Sequence, residues 1–290
     1  MRFKAVNHSR LVGLLLAMAI CAHAFATGFP VVSGTASVSG VPSASPSLNL
    51  HAPASPGTTP PVVSTGGAGG PFEQEVRLLE SRPIDFSQRP IVFYGSSSIR
   101  LWKSLRQDFM GYPVVNCGFG GSRLSDCVRY VSRLVLRLRP AAVVLYAGDN
   151  DLAQGTPPDQ AFVSFRELYS ALRGYSLQMP IAYISVKPAP ARIRNLDNIL
   201  CFNQLVKAFL QSQPAAKYID VCTAMLGPDR KPNPALFVQD QIHLSNLGYQ
   251  ILRQDVWSFL SSALQPSAPA AKSQPASSPQ PAGTSSRSQG

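Results

Sequence analysis

Acid–base chemistry at an imidazole has one address in the foldable part of this chain. Of the four histidines, His8 and His23 lie in the N-terminal segment and His51 in a stretch without charged side chains. Only His243 falls where apolar periodicity predicts a folded domain. One histidine cannot make a multi-histidine metal site, and no C-x-x-C pair is present, so neither a metal nor an organic cofactor is expected. Asp240 stands three residues before His243. A carboxylate that close can accept from Nδ1–H and leave Nε2 to take a proton. Such a pair suits activation of a hydroxyl, which is a weak nucleophile at neutral pH without a base.

Hydroxyls are on offer in Gly95-Ser96-Ser97-Ser98, where spacing alone leaves all three serines open as nucleophiles. Two further segments could supply hydrogen-bond donors: Asn116-Cys117-Gly118-Phe119-Gly120-Gly121-Ser122 and Gly148-Asp149-Asn150-Asp151. Each has an ordinary reading when taken singly. The serines could simply open a helix, the glycines could serve a turn with positive φ, and Asn150 could be a turn residue. The glycine segment is not a dinucleotide fingerprint, because Arg123 stands where the third glycine would be.

What would unite these segments is the architecture around them. The pattern predicts strands over Pro90–Tyr94, Pro113–Asn116, Ala141–Ala147, Ile181–Val186 and Tyr218–Val221. Helices are expected over Phe72–Ser81, Ile99–Phe109, Leu124–Leu138, Pro157–Leu177, Leu196–Gln211 and Ser245–Leu264, with Thr156 and Ser245 as N-caps. This alternation implies an α/β fold, a three-layer α/β/α sandwich around a five-stranded parallel sheet. Ligands in such folds bind outside the carboxyl ends of the strands. The serine, glycine and Asp149/Asn150 segments directly follow the first three strands. The Asp240–His243 segment lies in the long loop after the fifth, before the last helix.

In this order the segments resemble the four blocks of the SGNH (GDSL-like) hydrolases. Phe93 to Trp102 is similar to the first block, Asn116 to Ser122 to the second, Gly148-Asp149-Asn150 to G-x-N, and Asp240 to His243 to D-x-x-H. The likeness spans about Pro90–Leu264 and implies the flavodoxin-like fold of that family. It implies an esterase with Ser97 as nucleophile, His243 as base and Asp240 as its orienter. Ser97 N–H, Gly121 N–H and the Asn150 amide would form the oxyanion hole. One departure is that Ser96 stands where the family usually has Asp. The loops are short apart from Lys187–Asn195 and Thr223–Gln239, which favours a short acyl group, acetyl above all, while an exported chain with a long spacer favours a carbohydrate or envelope substrate. A non-catalytic carbohydrate- or anion-binding module and an acyltransferase are the competing readings.

The rest of the chain bears on location. Arg2, Lys4 and Arg10 precede the apolar run Leu11–Ile20, and two A-x-A patterns follow, so residues 1–26 read as a signal peptide. The run is short for a membrane span, although an uncleaved segment would be an anchor. Residues 27–70 and 265–290 are rich in Ser, Pro, Gly and Ala and are expected to be disordered, leaving 71–264 as the folded domain. A periplasmic or secreted protein is expected, and association with the cell envelope is allowed. All 15 acidic residues and 21 of the 26 basic ones lie in that domain, a mild +6 that serves solubility. Nothing in it suggests nucleic-acid binding. Cys117, Cys127, Cys201 and Cys222 allow disulfides without requiring them. Oligomeric state is left open.

Overall fold

The computed structural model describes residues 70–264. The expected signal peptide, linker and tail lie, but for Gly70, outside the described residues. Five strands form one all-parallel sheet in the order β2-β1-β3-β4-β5: β1 Ile91–Gly95, β2 Val114–Gly118, β3 Ala142–Tyr146, β4 Ile181–Ile184 and β5 Ala216–Ile219. The order reverses direction at β1, between β2 and β3, which is the switch point of a flavodoxin-like sheet. The helices are α1 Glu73–Glu80, α2 Ser97–Arg100, α3 Leu105–Asp108, α4 Leu124–Leu134, α5 Asp149–Ala153, α6 Pro158–Tyr175, α7 Leu196–Leu210, α8 Val221–Met225 and α9 Asn246–Ala263.

Alternate residues of the central strands feed two cores. Val92 and Tyr94 of β1 and Val143 and Leu145 of β3 pack with α1, α4, α6 and α7 on one face. Ile91, Phe93, Val144 and Tyr146 pack with Trp102, Leu105, Phe109 and α9 on the other. Both β1 and β3 are buried along their whole length, as central parallel strands must be. The three-layer sandwich expected from the alternation is the observed fold.

Several boundaries differ from expectation, each for a local reason. The helix expected over Ile99–Phe109 is two short ones, α2 and α3. Trp102 Nε1 and Ser104 Oγ both donate to Asp108 Oδ2, at 2.7 and 2.6 Å. These bonds tie the turn between the helices to Asp108 at the end of α3. The helix after β2 ends at Leu134 and passes into a 3-10 turn, Leu136–Leu138, closed by Arg139 at φ +50°. Thr156 does not cap α6: the helix starts at Pro158, and a proline holds the residue before it extended, as Pro157 is at ψ 147°. The fifth strand lies two residues earlier than expected, because the Asp220 carboxylate accepts from Thr223 N and starts α8 there. Ser245 does cap the last helix, its Oγ accepting from Gly248 N at 3.3 Å. Cys117, Cys127 and Cys222 are buried free thiols, so no disulfide joins any of them to another of the four.

At Gly95 the chain leaves β1 at φ +138°, a conformation that side chains rarely adopt, and a Cβ there would lie 1.8 Å from the Tyr146 carbonyl oxygen. The neighbouring Ser96 N–H donates to that same oxygen at 2.9 Å. This contact sets where the serine loop leaves the sheet. Gly95→Ala is expected to cost at least about 3 kcal/mol of stability, because it combines a backbone clash with a disfavoured φ. Urea unfolding of the variant measures this directly, and a loss below about 1 kcal/mol would show that the loop can shift.

Candidate active site

Four loops meet at the carboxyl edge of the sheet. Ser97 is the first residue of α2, directly after the Gly95–Ser96 turn. The Tyr249 hydroxyl, from α9, donates to Ser98 O at 3.0 Å and pins that turn from below. His243 comes from the far end of the fold, in a tight hairpin closed by the Phe237–Leu244 bridge and by Val238 N donating to His243 O at 2.9 Å. Gln241 turns the hairpin at φ +55°. His243 Nε2 and Ser97 Oγ are 3.0 Å apart, and His243 Nδ1 and Asp240 Oδ2 are 2.7 Å apart.

Asp240 is held as firmly as it holds. Its Oδ1 accepts from the backbone N–H of Ile242 at 2.8 Å and of His243 at 2.9 Å, which leaves Oδ2 for the imidazole. The His243 backbone bond, the His243 side-chain bond and the Ile242 backbone bond, in that order, lower its pKa to about 2. The carboxylate therefore stays charged through mildly acid pH, with Nδ1 as donor and Nε2 as acceptor toward Ser97. Of the three serines, Ser97 is the one whose hydroxyl lies within hydrogen-bond reach of His243. Ser96 and Ser98 have buried hydroxyls with no hydrogen-bond partner among the described residues.

The two remaining candidate residues, Gly121 and Asn150, follow β2 and β3 at the same carboxyl edge of the sheet. Gly121 lies at φ +77°, in a turn where an added Cβ would meet nothing within 4 Å. Asn150, on the first turn of α5, is buried and donates from Nδ2 to Ser122 O at 3.0 Å. An amide NH2 has two hydrogens, so one remains for a ligand. The backbone N–H groups of Ser97 and Gly121 have no acceptor among the described residues. The structure thus joins Ser97, His243 and Asp240 by hydrogen bonds, and ties Asn150 to Ser122, the residue after Gly121.

It also shows partners that sequence reasoning passed over. Lys187, 1 % exposed, donates to Asp149 Oδ2 at 2.8 Å and to the Tyr146 hydroxyl at 3.0 Å. Arg192 reaches Asp149 Oδ2 at 3.3 Å and the Asp149 carbonyl at 3.0 Å with Nη1, and Asn150 Oδ1 at 3.1 Å with Nη2. Burial opposes the charge on Lys187, but Asp149 and Tyr146 outweigh it and raise its pKa. Burial likewise opposes ionisation of Asp149, and Lys187 and Arg192 outweigh it in turn. The segment Lys187–Asn195 reads in the sequence as a plain loop. Its only signal is three cations, Lys187, Arg192 and Arg194, in a proline-containing stretch after a buried strand.

Among the described residues no cluster of His, Cys, Asp or Glu could hold a metal ion, and no helix is long and apolar enough to cross a membrane. Comparison with known proteins decides the family. The model of the GDSL-like lipase/acylhydrolase family matches residues 92–251, more than half of the chain. The chain belongs to that family. Solved structures share its fold. A GDSL-like lipase from Bacteroides thetaiotaomicron has 21% identity and a TM-score of 0.55, covering 67% of this chain and 97% of its own. A G-D-S-L family member from Veillonella parvula has 14% identity and a TM-score of 0.51, covering 60% and 99%. A catalytic mutant of an acetylxylan esterase from Geobacillus stearothermophilus has 16% identity and a TM-score of 0.51, covering 61% and 95%. Among curated proteins nothing matches.

Beside Asn150, the buried Asp151 carboxylate accepts from Leu124 N at 3.1 and 3.2 Å. Burial raises its pKa to about 6, the Leu124 bond acting against that. A carboxyl whose folded pKa lies above its unfolded value, about 4, stabilises fully below the lower value. That stabilisation is lost as pH rises through the folded value. Stability should therefore fall between about pH 4 and 6, by on the order of 2 kcal/mol. Asp151→Asn should flatten this part of the stability–pH curve in chemical denaturation, whereas an unchanged slope would assign it to another group.

Proposed function

We propose that the chain is an exported serine esterase that removes short acyl groups, acetyl above all, from a carbohydrate or cell-envelope substrate. The observation that carries this reading is the unbroken line from Ser97 Oγ through His243 to Asp240, at 3.0 and 2.7 Å. A hydrolase family and that line together leave little for His243 to do except move the serine proton. The fold shared with an acetylxylan esterase is in keeping with an acetylated glycan. Export rests on the N-terminal pattern of charge and apolar residues.

In this mechanism the Ser97 hydroxyl gives its proton to His243 Nε2 as Oγ attacks the ester carbonyl. The imidazolium is stabilised by Asp240, which also keeps the ring in the right tautomer. Negative charge develops on the carbonyl oxygen, where Ser97 N–H, Gly121 N–H and the second Asn150 N–H can donate to it. Donors fixed beforehand stabilise this charge without reorganising, and each contributes about 3–4 kcal/mol elsewhere. His243 then protonates the departing alcohol as the C–O bond breaks, leaving an acyl-serine. Water, deprotonated by His243, attacks the acyl carbon, and the proton returns to Ser97 as the acid leaves.

Ser97→Ala is expected to lower kcat on p-nitrophenyl acetate by roughly 10⁴-fold or more while the protein stays folded. Asp240→Asn, which keeps the shape but spoils the tautomer, should lower it by about 10²–10⁴-fold. Near-native turnover by folded Ser97→Ala would remove Ser97 from the chemistry, and with it this function.

A further inference from the structure

Two cations and one carboxylate lie behind Asn150. Lys187 and Asp149 are almost fully buried, at 1 % and 3 % exposure, and Arg192 completes the group at 20 %. Burying ions costs several kcal/mol each before pairing offsets it, and a buried pair is often no more stabilising than apolar side chains of the same size. Placing three charges here is therefore poorly explained by stability alone. Their position offers another reason, since each leads to the Asp149–Asn150 segment. Lys187 holds the Asp149 side chain, and Arg192 grips the Asp149 carboxylate, the Asp149 carbonyl and the Asn150 amide oxygen together.

The contacts on Asn150 fix which way its amide faces. Oδ1 must face Arg192, a donor without acceptors, and Nδ2 must face the Ser122 carbonyl. A flipped amide would oppose donor to donor and acceptor to acceptor. A guanidinium on the amide oxygen also draws electron density from the amide, which makes its remaining N–H a stronger donor. The cluster is net cationic, so its field favours negative charge on the far side of Asn150. Arg192 is tied to the base as well: Ala191 N, on the same turn, donates to Gln241 O in the Asp240–His243 hairpin at 3.1 Å.

We infer that Arg192, braced by the buried Lys187–Asp149 pair, is a positioning residue that orients and polarises the Asn150 amide toward the ester oxyanion. It acts through Asn150 without touching the substrate. The inference rests on the esterase reading above and adds to it the group that sets the strength of the oxyanion hole.

A double-mutant cycle on the full chain tests it, with p-nitrophenyl acetate as substrate. Arg192→Met should lower kcat by about 10–100-fold while KM changes less than about threefold, since the contact matters most when charge develops. Arg192→Lys, which keeps the charge but not the forked grip, should recover part of that loss. Asn150→Ala should lower kcat by about 10²–10³-fold. In the Asn150→Ala background, Arg192→Met should cost less than about twofold more, because its target is gone. Multiplicative losses in the double variant would overturn the inference, as would a change confined to KM. Melting temperature, followed in parallel, separates these outcomes from simple unfolding. If Lys187→Met fails to fold, the Arg192 cycle still stands, because Arg192 lies at the partly exposed edge of the cluster. Wild-type protein without ester turnover would defeat the esterase reading itself. An active wild type with multiplicative losses would defeat only the role of Arg192.

Discussion

One hydrogen bond, 3.0 Å long, joins side chains 146 residues apart in the chain. The serine end sits on the first turn after the first strand, and the imidazole end sits just before the last helix. Neither end can adjust far. Gly95 fixes the serine turn against the Tyr146 carbonyl at a distance only glycine permits, and Tyr249 reaches from α9 to hold the Ser98 carbonyl. The parallel sheet, the switch of strand order at β1 and the packing of α9 over Trp102 must all be right before these two side chains can meet. In this protein the meeting of Ser97 and His243 is a consequence of the fold's closure from end to end.

Charge is distributed around the site by environment. Asp240 is half exposed, yet the backbone of its own hairpin keeps it ionised. Asp149 is buried, and two cations keep it ionised. Asp151, two residues on, has no such partner, and burial pushes it toward the neutral form. Asp240 and Asp149 are thus held below the usual carboxylate range by different means, and Asp151 above it.

The sheet and its helices were largely legible in the sequence, because buried parallel strands read as short apolar runs and the helices between them carry a clear period. His243 stood out in the sequence by elimination, since no other histidine falls in the foldable segment, and Asp240 by its place three residues earlier. Ser97 was not separable from Ser96 and Ser98 by spacing, and resemblance to a family block made the choice. What distinguishes it is the direction of one hydroxyl, which a string of three serines cannot encode. Lys187 and Arg192 went unread for a similar reason. They are 38 and 42 residues from their partners, and only the seating of β4 beside β3 brings them there. Thr156 was misread as a cap because two prolines decide that helix start between them.

The central claim is that Ser97 is the hydroxyl activated by His243. Reaction with an organophosphonate serine probe, followed by mass spectrometry of the digested protein, tests it most directly. The account predicts a single phosphonyl adduct on Ser97 that His243→Ala abolishes in the folded protein. Label on Ser96 or Ser98, or label on Ser97 that survives loss of His243, would contradict it.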